Sequence, residues 1–197
     1  MIPKKHNADD RPDLFEEKRM EIFDAIKGRR SVRKYKADAV SDALLAEVID
    51  AARWAPSWAN LQCARYVIVK DKAAKEKLLA AMTPKNPARD AVTAAPVIVA
   101  FVGKIDASGY KSGQPVDDKG WYMFDVGLAV ENFCLAAHAK GLGTVIVGAF
   151  DYKAAGQALN VPQGYQVVAF TPLGYPDGEA KAPARKEIAE LMFKDRM

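Results

Sequence analysis

The stretch Ala136-Ala137-His138-Ala139-Lys140-Gly141-Leu142-Gly143-Thr144-Val145-Ile146-Val147-Gly148 narrows the fold class the most. An apolar helix predicted over Trp121 to Ala139 runs into two glycines that stop it, and the β-branched run Thr144 to Val147 follows as a strand. A doubly wound nucleotide fold needs its glycine-rich turn where a strand enters a helix, so that the helix N-terminus meets the phosphates. Here the glycines stand on the helix-to-strand side. Neither G-x-G-x-x-G nor G-x-x-x-x-G-K-S/T occurs in the chain, which excludes the ordinary dinucleotide and ATP folds at their own signature.

Working outward, the pattern alternates helices and strands. Pro12 to Lys27 reads as a helix stopped by Gly28, and Ser41 caps a second helix whose stripe is Leu44, Leu45, Val48, Ile49 and Ala52. Tyr66 to Val69 is a strand, and Lys72 to Met82 and Ala88 to Ala94 are helices. Val97 to Val102 is a strand opened by Pro96. The segment from Gly103 to Lys119, rich in Gly, Ser, Pro and Asp, is a loop of the length that lids and binding loops have. After the central helix and its strand come a helix over Asp151 to Leu159, a strand over Gln166 to Leu173 and a closing helix over Ala184 to Phe193. Mixed elements of this kind leave α/β and α+β open.

With 197 residues, half of them hydrophobic, the chain can bury a substantial single core. Residues 1–20 read as a polar arm leading into the first helix, and 21–197 as one domain. The formal charge is +4, and its location matters more than its size. Residues 1–36 carry 11 Lys/Arg against 7 Asp/Glu, while the remainder carries 18 against 18. The excess is one local patch, too narrow for a nucleic-acid footprint.

Cys63 and Cys134 make no disulfide framework or metal spacing and read as two reduced thiols. With only His6 and His138, histidine-based hydrolysis and a zinc site are poorly supplied. Asp125, Glu131 and Asn132 interrupt the Trp121–Ala139 segment, which suits a helix buried in protein on nearly all sides and not a membrane span. Met1 to Asn7 leads into charge and not into an apolar run, so the expected location is cytoplasmic.

Four patches share a chemical theme. Lys27 to Lys36 holds six basic residues and no acid, with Ser31 in their midst. Guanidiniums and a hydroxyl there suit a phosphate and electron-rich carbonyls. Ala55-Pro56-Ser57-Trp58-Ala59-Asn60-Leu61-Gln62 supplies amides that read both donors and acceptors. Gly143 to Phe150 offers backbone that a flat ring can approach, and Arg185-Lys186 adds late cations.

In this order the chain resembles the nitroreductase family of FMN-dependent oxidoreductases, from about Ile22 to Phe193. Arg29, Arg30, Ser31, Arg33 and Tyr35 match R-R-S-x-R with a Phe or Tyr two residues on. Pro56, Ser57, Asn60 and Gln62 match P-S-x-x-N-x-Q, Gly141 to Thr144 match the G-L-G-T helix end, and Arg185-Lys186 match the late basic pair. The resemblance implies an α+β fold in three α/β/α layers, with a mostly antiparallel central sheet flanked by helices, in an intertwined homodimer.

It also implies roles. Arg29, Ser31 and Arg185, the last near a helix N-terminus and beside Lys186, bind the FMN phosphate and ribityl end. Arg30 and Arg33 divide between phosphate and pyrimidine edge, and Asn60 and Gln62 lie at the flavin's polar edge. Pro56 and Ser57 reach across from a second subunit, and the backbone of Gly148 and Ala149 faces flavin N5. No side chain is required as a catalytic acid. NADH or NADPH and then a nitroaromatic, quinone or similar planar acceptor react in ping-pong order, beneath lid residues drawn from Tyr110, Lys111, Trp121 and Tyr122. The alternatives are a specialised enzyme of the same fold, of the flavin destructase or reductive dehalogenase type, and a flavin-binding protein without turnover. Cys63-Ala64 departs from the Pro-Trp that many members carry after N-x-Q, and Gly148 stands where some have an acid.

Overall fold

The computed structural model describes residues 20–197. Residues 1–19 of the polar arm, His6 among them, and the first half of the helix expected from Pro12 lie outside the described residues. What is described of that helix, α1, runs Ile22–Gly28. Gly28 takes no left-handed turn at this end. Its requirement is close approach, because a Cβ there would come within 2.8 Å of His138 Nε2.

Helix α2 (Asp42–Arg53) starts where Ser41 Oγ accepts the Leu44 N–H at 3.2 Å, and buries Leu45, Val48 and Ala52. Strand β1 (Ala64–Val69) and helices α3 (Lys72–Ala81) and α4 (Arg89–Ala94) follow, then strand β2 (Val97–Lys104). The loop after β2 carries a two-rung hairpin, β3 (Tyr110–Lys111) and β4 (Gln114–Pro115), turned at left-handed Ser112 and Gly113. Helix α5 (Trp121–Ala139) leads to β5 (Gly143–Thr144), α6 (Tyr152–Ala158) and β6 (Tyr165–Gly174). At the end of α5, Gly141 is left-handed at φ 75° and the Leu142 N–H returns to the Ala137 carbonyl at 2.8 Å. That six-to-one closure is the stop expected of the first glycine.

The sheet order is β1-β2-β6-β5, antiparallel throughout. Strand β2 explains the layers. Val97, Val99 and Phe101 face a core built with α2 and α5, while Ile98, Ala100 and Val102 face one built with α3, α4 and α6. Both faces are covered, so β2 is apolar almost without a break although its partners are antiparallel. The fold is the expected three-layer α+β arrangement.

Three elements differ from the sequence reading. The strand expected over Thr144 to Val147 is broken: the buried Thr171 hydroxyl takes the Val145 N–H at 3.1 Å, and pairing resumes only at Val147 with Phe170. The closing helix over Ala184 to Phe193 is absent; only a short 3-10 turn, Ile188–Glu190, forms there. Its apolar residues Ile188, Leu191, Met192 and Phe193 stay largely exposed on this protomer, and a helix without a face to bury has little to hold it. Helix α5 is less enclosed than expected. Asp125 is buried, while Met123, Phe124, Gly127 and Glu131 are exposed.

Candidate active site

The basic loop after α1 is seated on the glycine-rich helix end. Ser31 and Thr144 form a parallel bridge, and the Val32 N–H donates to the Thr144 carbonyl at 2.8 Å. Tyr35 fastens the loop from below: it is buried, and its hydroxyl donates to the Val32 carbonyl at 2.9 Å. Burial holds that hydroxyl's pKa far above the ordinary tyrosine value. Two of the four patches are thereby joined directly.

The three arginines of the loop are in different states. Arg30 folds back, donating to the carbonyls of Lys27 and Arg29, and so satisfies the C-terminal end of α1. Arg33 is exposed beside Ser31. Arg29 is largely covered, with 19% of its side chain exposed, and its Nε lies 3.7 Å from Glu131 Oε1. That is ion-pair distance and not a hydrogen bond. Among the described residues, Arg29 Nε is the one buried side-chain nitrogen or oxygen without a hydrogen-bond partner. The Arg29 side chain belongs to the lining of a cavity of about 330 Å³, with Gly28, Arg30, Val32, His138 and Thr144. Burial lowers the His138 pKa, and the Arg29 and Arg30 charges lower it further.

The Pro56–Gln62 segment lines a separate hollow of about 170 Å³, with Pro56, Ser57 and Gln62 beside Cys63, Arg65 and Asp125. Its backbone is contorted: Ala59, Asn60 and Gln62 have φ of 45°, 55° and 50°. No residue of this hollow is shared with the Arg29 cavity. Within one protomer the first and second patches do not converge.

Gly148 and Ala149 are exposed, and a Cβ on Gly148 would meet nothing within 4 Å. The Ala149 carbonyl is held by the Thr83 N–H at 3.3 Å and by Asn86 Nδ2 at 3.3 Å. Arg185 and Lys186 lie in the exposed tail ahead of the 3-10 turn, so the helix N-terminus expected to assist Arg185 is not there.

The nitroreductase family profile matches residues 26–93 and 83–175. The chain belongs to the nitroreductase family. A protein of Methanothermobacter thermautotrophicus, provisionally named as an NADH dehydrogenase/NAD(P)H nitroreductase, is 29% identical over 86% of this chain and 83% of its own. The 5,6-dimethylbenzimidazole synthase of Rhodospirillum rubrum is 28% identical, over 93% and 94% of the two chains. Among solved structures, a nitroreductase family protein from Clostridium novyi NT superposes with a TM-score of 0.73 at 31% identity, covering 80% of this chain and 86% of that one. A BluB-like flavoprotein from Clostridium difficile 630 does so with 0.74 at 26% identity, covering 90% and 100%.

In this nitroreductase-family chain, the candidate lid residues divide. Tyr110 and Lys111 sit on β3, at the hairpin. Trp121 packs against Trp58 in a tilted contact, 4.9 Å between ring centres, and its indole N–H donates to Asp117 Oδ1 at 2.9 Å. Tyr122 instead packs inward over Gly103, where a Cβ would come within 2.7 Å of its ring. Sequence reasoning passed over Asn86, which carries no recognisable spacing, and Asp125, whose signal was an acid inside an otherwise apolar run.

Proposed function

We propose that this protein is an FMN-dependent NAD(P)H oxidoreductase for planar acceptors such as nitroaromatics and quinones, donor and acceptor reacting in turn at one place. The state of Arg29 carries the reading. A buried donor left without an acceptor costs about 1–3 kcal/mol, and a phosphate oxygen is the acceptor that relieves it. Ser31 and Thr144 stand at the same junction, so the residues present fit a phosphorylated cofactor. When bound, FMN supplies hydride acceptance and delivery at its N5.

The chain's own residues bind and orient. Arg29 and Ser31 hold the phosphate end, with Arg185 and Lys186 brought to it from the tail. Arg33, exposed beside Ser31, serves the pyrimidine edge, whereas Arg30 supports the loop by holding the end of α1. Thr83 and Asn86 hold the Ala149 carbonyl and so aim the Gly148–Ala149 backbone. Pro56, Ser57, Asn60 and Gln62 complete the site from a second copy of the chain. The exposed apolar residues Ile22, Phe23 and Ile26 of α1 and Met123 and Phe124 of α5 support such a homodimer.

A second reading, a specialised enzyme of the same fold in which the flavin is consumed, is favoured by the likeness to the Rhodospirillum rubrum synthase. The test is the absorption spectrum of the purified protein, followed by anaerobic addition of NADH and NADPH and then a nitroaromatic. The proposal expects flavin absorbance, bleaching by a nicotinamide, recovery with the acceptor and FMN left intact. A folded dimer that stays colourless after FMN is added sinks it, and loss of FMN with turnover selects the second reading. Sedimentation of a flavin-loaded monomer at micromolar concentration overturns the shared site.

A further inference from the structure

Asp125 lies in the first half of α5, buried to 3% exposure, and it joins the loop that enters β1 to the loop that leaves β2, which emerge side by side where Ala64 pairs with Gly103. Both carboxylate oxygens accept the Trp58 N–H, each at 3.1 Å. One of them also accepts from the Ser108 hydroxyl, itself buried at 2%, and faces Cys63 Sγ at 3.6 Å. Trp58 belongs to the Pro56–Gln62 segment; Ser108 belongs to the loop between β2 and α5.

Two further contacts run in parallel with this clasp. Trp58 packs against Trp121 at a tilt, and Gly109, left-handed at φ 80°, passes so near Trp121 that a Cβ would sit 2.4 Å from its ring. On the other side, Ser57 Oγ accepts the Gln62 N–H at 2.9 Å and closes the turn that holds Ala59, Asn60 and Gln62 at positive φ. Left-handed non-glycine residues cost free energy and persist only where their surroundings over-determine them. The Asp125 carboxylate, with the two tryptophans, is what over-determines this turn.

We propose that Asp125 is a positioning residue that clamps the strained Ser57–Gln62 turn and, through Ser108, the Gly103–Lys119 loop, so that the two loops open and close as one unit. The catalytic consequence rests on the oxidoreductase reading above; the clamp itself does not. One loop carries the flavin-edge residues and the other the lid candidates Tyr110 and Lys111, so the clamp ties cofactor binding to cover of the acceptor.

Hydrogen–deuterium exchange of the full-length protein tests the clamp, with Ser108→Ala as the mildest cut, Ser108→Thr as the version that keeps the hydroxyl, and Asp125→Asn as the stronger cut. In Ser108→Ala, amides of residues 106–118 and also of 57–62 exchange about tenfold faster, while β2 and β6 are unchanged. Ser108→Thr restores protection in both loops. Faster exchange confined to 106–118, or no change in either loop, overturns the proposal. In turnover, Ser108→Ala raises the KM for a nitroaromatic about tenfold with kcat nearly unchanged, because neither loop touches the transferred hydride. A fall in kcat alone marks a merely structural role and also overturns it. If the protein binds no FMN and yet both loops lose protection together, the clamp stands and the oxidoreductase reading falls.

Discussion

Gly143 lies directly beneath Val32: a Cβ added to the glycine would stand 2.8 Å from three carbon atoms of the valine side chain. The contact presses the basic loop onto the end of α5, and both residues are fixed by backbone. Val32 is held by its N–H to Thr144, and Gly143 pairs with Gly174. Gly143→Ala is therefore expected to cost about 1–3 kcal/mol, the range for forcing extra volume into a packed site. Because the displaced segment carries Arg29 and Ser31, FMN retention falls as well. Chemical denaturation and an FMN titration measure the two effects, and an unaltered stability contradicts the close packing.

Arg29 and Arg30 adjoin in sequence and predict unlike phenotypes. Removing the Arg29 guanidinium in Arg29→Ala takes away the buried unpartnered donor, and a charge-assisted contact of that kind is worth about 1.5–3 kcal/mol, or roughly 10–100-fold in FMN affinity. The Arg30 side chain is occupied by the Lys27 and Arg29 carbonyls, so Arg30→Ala lowers the melting temperature slightly and leaves affinity within a few-fold. Equal losses in the two variants contradict this division.

Both thiols are inert by position. Burial pushes the Cys134 thiol up to about 11, and burial is also the largest cause of the upward shift at Cys63. Thiolate is the reactive form, so neither cysteine is expected to take up iodoacetamide near pH 7.5 in the native protein, and both react in denaturant. Mass spectrometry of the intact protein counts the adducts. Native alkylation of Cys134 would contradict its burial on the core face of α5.

His138 makes stability fall on acidification. Its folded pKa is below the ordinary histidine value, first because of burial and then because of Arg29 and Arg30. The unfolded chain consequently binds a proton that the folded chain refuses, and stability is lost as pH drops from above the unfolded value toward the folded one. In His138→Gln the melting temperature, measured by circular dichroism between about pH 7.5 and pH 5, declines less steeply than in the wild type. Parallel slopes in the two proteins remove His138 from the effect.

Much of the fold was legible along the chain because the signals are local. The Ser41 cap, the Gly141 stop and the apolar stripe of α2 act over one or two helical turns, and the structure keeps all of them. The closing helix failed for the complementary reason. Ile188, Leu191, Met192 and Phe193 have an amphipathic spacing, but spacing forms a helix only when a surface receives it.

What the amino-acid order determined by itself was most of the elements and the chemical character of the four patches, since hydrophobic period and cap chemistry are properties of neighbouring residues; the three-layer class was implied by the family resemblance. Tertiary structure alone decided which arginine keeps a free donor, that Thr171 interrupts the strand after Gly143, and that one buried carboxylate at Asp125 serves two loops. These depend on which groups meet across 26 positions of chain, as Val145 and Thr171 do, or 67, as Trp58 and Asp125 do. Hydrogen bonds at such separations leave no periodic trace in a sequence.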